Sequence, residues 1–414
     1  MKKNIVFITF KPKLKKVIKL VCSCLFLMAI FVTAYEKILD GFLGCPPNQL
    51  LAASSISKVQ LRFDGTTLVN GKPFFPFGFY HVSWNLAPGE RRKALRDIAV
   101  AGFNTIHASI TGVDDFDNYE QFSDEAGQLG VYVMSEFSTS SSNLAKTVNK
   151  FKEKPTILGW SIVDDIDNGR LSANQVLTIH QQVKAADPHH ITYVSGYSNK
   201  IEKFTYCSDV MAMQSYPIKV GNSQELRSTY STISNVRKSK KNGAIYANLQ
   251  TFNWAAEEPE NPRYRQGTRA PNFEEVRNMT YQAILGGAKG IIYYTYQDSN
   301  WYLPSAHPEL WQKMKSLVPE MNSISSLFLN GYFKKFDLGE ENILAGIWQE
   351  GKEALVVVIN TSYDRSNRVT ITLPIEAEQS QLMFEEHPSE MSLTGKKLLV
   401  DVAPLKVHVY RLNI

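Results

Sequence analysis

The sequence predicts an α/β protein: a (β/α)8 barrel followed by a C-terminal antiparallel β-sandwich. Eight short apolar runs alternate with helical patterns over a stretch of about 250 residues, which is the usual size of such a barrel. A doubly wound open sheet is the competing α/β fold, but no Gly-x-Gly-x-x-Gly follows any of the eight runs. After about Ser323 the helical pattern stops, and apolar residues alternate with period two, which is typical of a sandwich.

Each apolar run has the length of a strand and ends near polar or small residues. One helix start is marked clearly, because Pro271 and Asn272 precede two glutamates in the first turn of the pattern over 272–287. The eight predicted strands are FPFGFYH (75–81), NTIHASI (104–110), VYVMSEF (131–137), ILGWSIV (157–163), ITYVSGY (191–197), VMAMQSY (210–216), AIYANLQTF (244–252) and GIIYYTY (290–296).

The composition is that of a globular protein, since 43% of the 414 residues are hydrophobic and 21% are charged. Intrinsic disorder is therefore excluded as the main state. The net charge of +5 is not spread over the chain, because seven lysines and no acid lie in residues 1–35. The rest of the chain has 38 basic residues against 40 acidic ones. This balance gives the body no bulk attraction to polyanions, and we expect no nucleic-acid partner.

The N-terminus is interpreted as a signal peptide or an N-terminal membrane anchor. The lysines precede an uncharged run over 20–35, and Val32-Thr33-Ala34 offers a cleavage site. Without cleavage, residues 17–35 would hold the chain in a membrane; either route makes the body extracytoplasmic. The predicted segments are 1–35 as signal or anchor, 36–57 as linker, 58–323 as barrel and 324–414 as sandwich.

The cysteine and histidine residues indicate neither a metal nor a cofactor. Four cysteines are too few for a disulfide scaffold, although a bridge between Cys45 and Cys207 is left open. His189-His190 is not at ligand spacing and is interpreted as a solvated helix end. No His-Glu-x-x-His, Cys-x-x-Cys, P-loop or Gly-x-Ser-x-Gly motif occurs.

The ends of the predicted strands combine aromatic rings, carboxylates and amides. Chemistry in these barrels is carried by strand ends and the loops that follow them. Sugars stack their C–H faces on rings and hydrogen-bond their hydroxyls to carboxylates and amides, so a carbohydrate substrate is predicted. The plainer interpretation places some of these rings in the core. The candidates are His81, Trp84, Glu136, Asp164, Asp165, Gln214, Tyr216, Gln250, Trp254, Tyr296, Asp298 and Trp301.

Several of these segments resemble the TIM-barrel glycoside hydrolase superfamily, in particular glycosidases with a C-terminal β-sandwich. The resemblance implies a glycosidase in which strands 4 and 7 each present a catalytic glutamate. Here the two positions are Asp165 and Gln250, and an amide is a poor nucleophile. The ordinary double displacement is therefore not expected. The segments are LVNGKPFFPFGFYHVSW (68–84), AGFNTI (101–106), GWSIVDDID (159–167), NLQTFNW (248–254) and FEEVRNMTYQAILGGAKGIIYYTY (273–296).

Three mechanisms stay open. In an inverting hydrolase, Asp165 would be the general acid and Glu136 or Asp298 would activate water from about 6.5–9.5 Å away. Alternatively, Asp164 and Asp165 resemble the paired aspartates of O-GlcNAcase-like hexosaminidases, which implies a substrate-assisted N-acetylhexosaminidase. The third option is a carbohydrate-binding barrel without catalysis.

The favoured hypothesis is a glycoside hydrolase acting on an extracytoplasmic polysaccharide or glycoconjugate. Asp165 is the predicted acid in this hypothesis. The other roles are orientation of the sugar by Asp164 and Gln250, hydrogen bonds from Tyr216 and Tyr296, and stacking on Trp254 and Trp301.

Overall fold

The computed structural model describes residues 57–84, 86–137, 141–219, 226–264, 267–384 and 391–414. The predicted signal or anchor segment and Cys45 lie outside the described residues. None of the helices in these ranges combines the length and the apolar character needed to cross a bilayer. Cys207 is buried, and its thiol contacts the carbonyl oxygen of Ala173 at 3.2 Å.

The described chain begins at the end of the barrel where the strands start. Ser57 Oγ donates to the carbonyl oxygen of Ile157 at 2.9 Å, and it lies 2.9 Å from Nε2 of His190. His190 Nδ1 lies 2.7 Å from Asp187 Oδ2, and all three polar side chains are buried. The interpretation of His190 as solvated is therefore wrong: it belongs to a buried polar network that holds the first described residue.

A small antiparallel sheet of three strands follows this entry point. Its last two strands are joined by Asn70-Gly71, whose φ angles of 51° and 78° are the left-handed values that a tight hairpin turn requires. The strands are β1 (Val59–Leu61), β2 (Thr67–Val69) and β3 (Lys72–Phe74).

The predicted (β/α)8 barrel is confirmed. Eight parallel strands close on themselves, and each coincides with one of the eight predicted apolar runs to within a few residues. Helices cover the outside, so the strands are buried on both faces, which explains their nearly continuous apolar sequences. The barrel strands are β4 (Phe77–His81), β5 (Thr105–Ile110), β6 (Tyr132–Phe137), β7 (Ile157–Val163), β8 (Ile191–Gly196), β9 (Val210–Ser215), β10 (Ala244–Gln250) and β11 (Ile291–Gln297).

Two of the helices begin with a capping box, in which side chain and backbone satisfy each other's free groups. Ser172 pairs with Gln175, and Asn272 pairs with Glu275, at the start predicted from the sequence. The α-helices are α1 (Pro88–Val100), α2 (Phe116–Gln128), α3 (Ser141–Phe151), α4 (Ala173–Ala186), α5 (Ser228–Ser239), α6 (Trp254–Glu257), α7 (Phe273–Leu285), α8 (Leu303–Ala306), α9 (Pro308–Met314) and α10 (Leu317–Asn330). Short 3-10 segments lie at Val113–Asp115, Ile166–Asn168, Asn199–Phe204 and Pro262–Tyr264.

The C-terminal part forms the predicted antiparallel sandwich. A five-stranded sheet in the order β12-β13-β14-β19-β16 faces a three-stranded sheet in the order β15-β18-β17, and a separate apolar core lies between them. The other face of the larger sheet packs on the barrel, because Leu344, Leu355 and Val357 join the barrel core. The strands are β12 (Tyr332–Phe336), β13 (Ile343–Glu350), β14 (Glu353–Asn360), β15 (Asn367–Thr372), β16 (Gln379–Met383), β17 (Met391–Thr394), β18 (Lys397–Val402) and β19 (Val407–Asn413).

Candidate active site

A cleft of about 370 Å³ opens at the carboxyl ends of β6 and β7. Three predicted carboxyl residues line it together: Glu136, Asp164 and Asp165. Trp84 lies on its rim with 40% of its surface exposed, and Arg170 lies on the same rim. The structure therefore brings three carboxyl groups and an open indole face to one place, which is the composition expected of a sugar site.

Glu136 points into the cleft from β6 and is almost fully buried. Its Oε2 accepts hydrogen bonds from the hydroxyl groups of Tyr80 at 2.5 Å and Ser109 at 2.6 Å, and Trp84 also hydrogen-bonds to the carboxyl. Burial, with the negative charge of Asp164 added, raises the pKa of Glu136 to about 7. The group therefore exchanges a proton near neutral pH, as a general acid or base must.

Asp164 and Asp165 follow β7 and share one amide donor. Gln214 Nε2 donates to Asp164 Oδ1 at 3.1 Å and to Asp165 Oδ1 at 2.8 Å, and the Ser195 hydroxyl also donates to Asp164. Asp165 has left-handed backbone angles (φ 49°, ψ 46°), a conformation that Asp and Asn tolerate better than most residues. This turn ends the strand and directs the chain across the cleft.

The carboxyl of Asp164 has an open face toward the cleft and protein on its other sides. The surrounding protein and the charge of Asp165 raise the pKa of Asp164 to about 6, although the Ser195 and Gln214 donors oppose the shift. The pKa values of Glu136 and Asp164 are thus both raised toward neutrality.

Tyrosine rings pack next to these carboxyl groups, starting with Tyr80, which donates to Glu136. The rings of Tyr80 and Tyr294 are 5.3 Å apart, and those of Tyr216 and Tyr294 are 5.6 Å apart. Tyr80 also packs on His107, a fully buried histidine whose pKa burial lowers to about 3. Tyr216 thus lies against Tyr294, and the ring of Trp254 is 6.1 Å from that of Tyr216.

Tyr296 does not face the mouth, which corrects the expectation that it hydrogen-bonds to the sugar. Its hydroxyl donates to Asp97 Oδ2 of α1 at 2.7 Å, and its ring packs between the barrel and the helices against Phe79. The pairing of β11 with β4 shifts between Tyr293 and Gln297, which breaks simple alternation along the strand. Tyr294 is the residue of this strand whose ring packs against Tyr80, the donor to Glu136.

Gln250 also differs from its expected role of orienting the sugar. It is completely buried, and its Oε1 accepts from the backbone N–H of Ile218 at 2.8 Å. Its Nε2 donates to the carbonyl oxygens of Ile218 at 2.8 Å and Phe252 at 3.1 Å. Both of its N–H donors go to backbone carbonyls after β9 and β10, and its complete burial keeps it from a ligand.

Two more candidates lie away from the three carboxyl groups. His81 is fully buried against Ser83, its Nδ1 lying 3.0 Å from the hydroxyl oxygen, and burial lowers its pKa to about 3. Trp301 is 8% exposed and lines a different depression together with Arg269 and His307. The expected stacking of a sugar on Trp301 would thus take place outside the carboxyl cleft.

Asp298 lies beside a carboxyl that the sequence analysis missed, Glu257 of α6. An acid in the first turn of a short helix after β10 is a weak signal in sequence, since helix starts commonly carry acids. Asn253 caps that helix by accepting from the backbone N–H of Ala255 at 3.0 Å. Within the described ranges, no cluster of His, Cys, Asp and Glu side chains could hold a metal ion.

No family model matches the sequence, and no curated protein sequence matches it. Solved structures do match the fold. An alpha-amylase from Anoxybacillus superposes with a TM-score of 0.55 at 11% identity, covering 86% of this chain and 99% of the amylase. Amy13B from Eubacterium rectale gives 0.54 at 9% identity, covering 88% and 98%. The xylanase Xyn30A from Clostridium acetobutylicum, of glycoside hydrolase family 30, gives 0.50 at 11% identity, covering 86% and 98%. The fold of the chain is thus the fold of TIM-barrel glycoside hydrolases.

Proposed function

We propose that the chain hydrolyses glycosidic bonds in an extracytoplasmic polysaccharide or glycoconjugate. The observation that carries the proposal is the convergence of Glu136, Asp164 and Asp165 on one cleft, where Tyr80 donates to Glu136. The fold likeness to amylases and a xylanase supports a carbohydrate substrate. The extracytoplasmic location rests on the lysine-rich start of the sequence alone.

The reaction needs one carboxyl that gives a proton and one that takes a proton from water. The Asp164–Asp165 pair is the proposed proton donor, since both aspartates line the cleft and burial raises the pKa of Asp164 to about 6. The proton passes to the glycosidic oxygen as its bond to the anomeric carbon breaks. Water adds to that carbon, and its proton goes to ionised Glu136. Gln214 donates to both aspartates and fixes the position of one relative to the other during the reaction.

The test is a digest of a glycan library that includes α-glucans, xylans and N-acetylhexosamine-containing glycans. Wild type is compared with Asp165→Asn, Asp164→Asn and Glu136→Gln. We expect each substitution to lower kcat/KM by about 100-fold or more, because each removes a proton-transfer group. Asp117→Asn, which changes an exposed carboxylate on α2, is the matched control and is expected to leave cleavage unchanged.

Three results would argue against parts of the proposal. Cleavage unaffected by Asp165→Asn rejects that residue as part of the acid. Cleavage confined to N-acetylhexosaminides, with Asp164→Asn and Asp165→Asn both inactive and Glu136→Gln active, indicates the substrate-assisted mechanism. Glycan binding by wild type without any cleavage replaces the hydrolase with a carbohydrate-binding barrel.

A further inference from the structure

Glu257, the last residue of α6, and Asp298, which directly follows β11, lie beside each other near Tyr294. Asp298 is 7% exposed, and its Oδ1 accepts the backbone N–H groups of Asn300 and Trp301, both at 2.7 Å. Glu257 Oε1 accepts the hydroxyl of Tyr294 at 2.9 Å. Each carboxyl group thus has one oxygen with a fixed partner.

The remaining oxygens, Glu257 Oε2 and Asp298 Oδ2, are buried and receive no donor from any residue that the structure describes. The two carboxyl groups nevertheless lie within hydrogen-bonding reach of each other. Two ionised carboxylates in such contact would repel, whereas a proton between them turns the contact into a hydrogen bond. The contact and the two partnerless buried oxygens therefore favour a proton at this position.

The other charges around the pair do not offset the repulsion between the two carboxylates. Glu258, next in sequence, adds a further negative charge. Lys219 stands over the ring of Trp254 at 6.0 Å, at the start of α6. In the described part of the chain, no Lys, Arg or His forms an ion pair with Glu257 or Asp298.

We propose that Glu257 and Asp298 share one proton at neutral pH, and that this pair positions the Tyr294 hydroxyl in the mouth of the barrel. The positioning role rests on the proposed function, whereas the proton sharing does not. Burial and the charge of Asp298 raise the pKa of Glu257 to about 8, which agrees with this arrangement. Tyr294 connects the pair to the cleft, since its ring lies against Tyr80, which donates to Glu136.

Proton sharing is tested by NMR titration of the full-length protein labelled with ¹³C at the glutamate carboxyl carbon. We expect one glutamate signal to titrate near pH 8, to be absent from Glu257→Gln, and to move down by about one pH unit or more in Asp298→Asn. Glu258→Gln, a change in an exposed neighbour, is the control and retains the signal. If Glu257→Gln does not fold, the signal is identified in wild type through its proximity to the Tyr294 ring.

An ordinary glutamate titration for Glu257, or the same midpoint in Asp298→Asn, would overturn the proposal. The positioning role has its own readout on any glycan that wild type cleaves. Glu257→Ala should lower kcat with a smaller effect on KM, and Glu257→Gln, which keeps a neutral hydrogen-bonding group, should restore most of it. An unchanged kcat in Glu257→Ala rejects the positioning role. If wild type cleaves nothing, the proposed hydrolase fails, and the titration still decides whether the proton is shared.

Discussion

At the scale of single residues, burial changes the pKa of a carboxyl group and hence its capacity to exchange a proton at neutral pH. Glu136 was a candidate from sequence because it stands at a strand end, but its proton affinity depends on Tyr80, Ser109 and Asp164, which come from three other strands. The position of a residue at a strand end can identify it as a catalytic candidate. The side chains that surround it, and hence its protonation, follow only from the closed barrel.

This burial predicts a pH dependence of stability. The folded state raises the pKa of Glu136 from 4.5 to about 7, so folding favours the protonated form. That contribution is complete below the ordinary glutamate pKa and is lost as the pH rises through about 7. Glu136→Gln cannot ionise, so relative to wild type it should gain on the order of 1–3 kcal/mol between pH 5 and pH 8.

Denaturant unfolding of both proteins at the two pH values measures this difference. Asp164 retains its own raised pKa in the variant, so the pH dependence should shrink without vanishing. An equal fall of the unfolding free energy in wild type and Glu136→Gln would show that Glu136 is ionised at no cost in the folded protein.

At the scale of elements, the apolar runs predicted all eight barrel strands, because strands covered on both faces need continuous apolar sequence. The side-chain directions were less predictable. Tyr294 and Tyr296 look equivalent in sequence. The pairing of β11 with β4 shifts between Tyr293 and Gln297, and Tyr296 lies in the core whereas Tyr294 packs beside Tyr80. In the sandwich, four of the five residues of β12 are exposed, and β17 has no buried residue, so both strands are weakly marked in the sequence.

Gln250 connects the segments that follow β9 and β10, because its side chain bonds to the backbone of Ile218 and Phe252. A second prediction about stability follows from this connection. In Gln250→Glu, an oxygen would replace the nitrogen that donates to the carbonyls of Ile218 and Phe252. We expect the unfolding free energy to fall by about 2–4 kcal/mol, because a buried acceptor would face two other acceptors.

Urea unfolding tests this expectation, with Gln182→Glu on the exposed side of α4 as the control. The variant should also gain no retaining glycosidase activity, although it restores the residue type seen in the resembled family. A stable Gln250→Glu protein with new cleavage activity would mean that the side chain can leave the loop and reach the cleft.

At the scale of the whole molecule, the barrel core extends onto one face of the sandwich, which also has a core of its own. Polar contacts cross the same boundary: Asn278 of α7 is buried, and its Nδ2 donates to the carbonyl oxygens of Asn360 and Leu405, both at 2.8 Å. The switch of sequence pattern near Ser323 predicted the two parts. It could not predict this contact, because residues far apart in the chain form it.

Asn278→Ala should lower the stability of the entire protein by about 2–3 kcal/mol, since it leaves two carbonyl oxygens without their donor. Thermal unfolding followed by both tryptophan fluorescence and circular dichroism should show a single transition at reduced temperature. Asn322→Ala, an exposed change on α10, is the control. Two separated transitions in the variant would show that barrel and sandwich unfold independently.

The buried network of Ser57, His190 and Asp187 also has a practical consequence for attaching the protein to a surface. Ser57 is held next to Ile157, the first residue of β7, whereas Asp164 and Asp165 follow the last residue of that strand. The chain therefore enters at the end of the barrel opposite the cleft. A bead or sensor linkage made just before Ser57 should leave the cleft open to large polymers, whereas coupling through lysines scattered over the surface would obstruct it in some orientations.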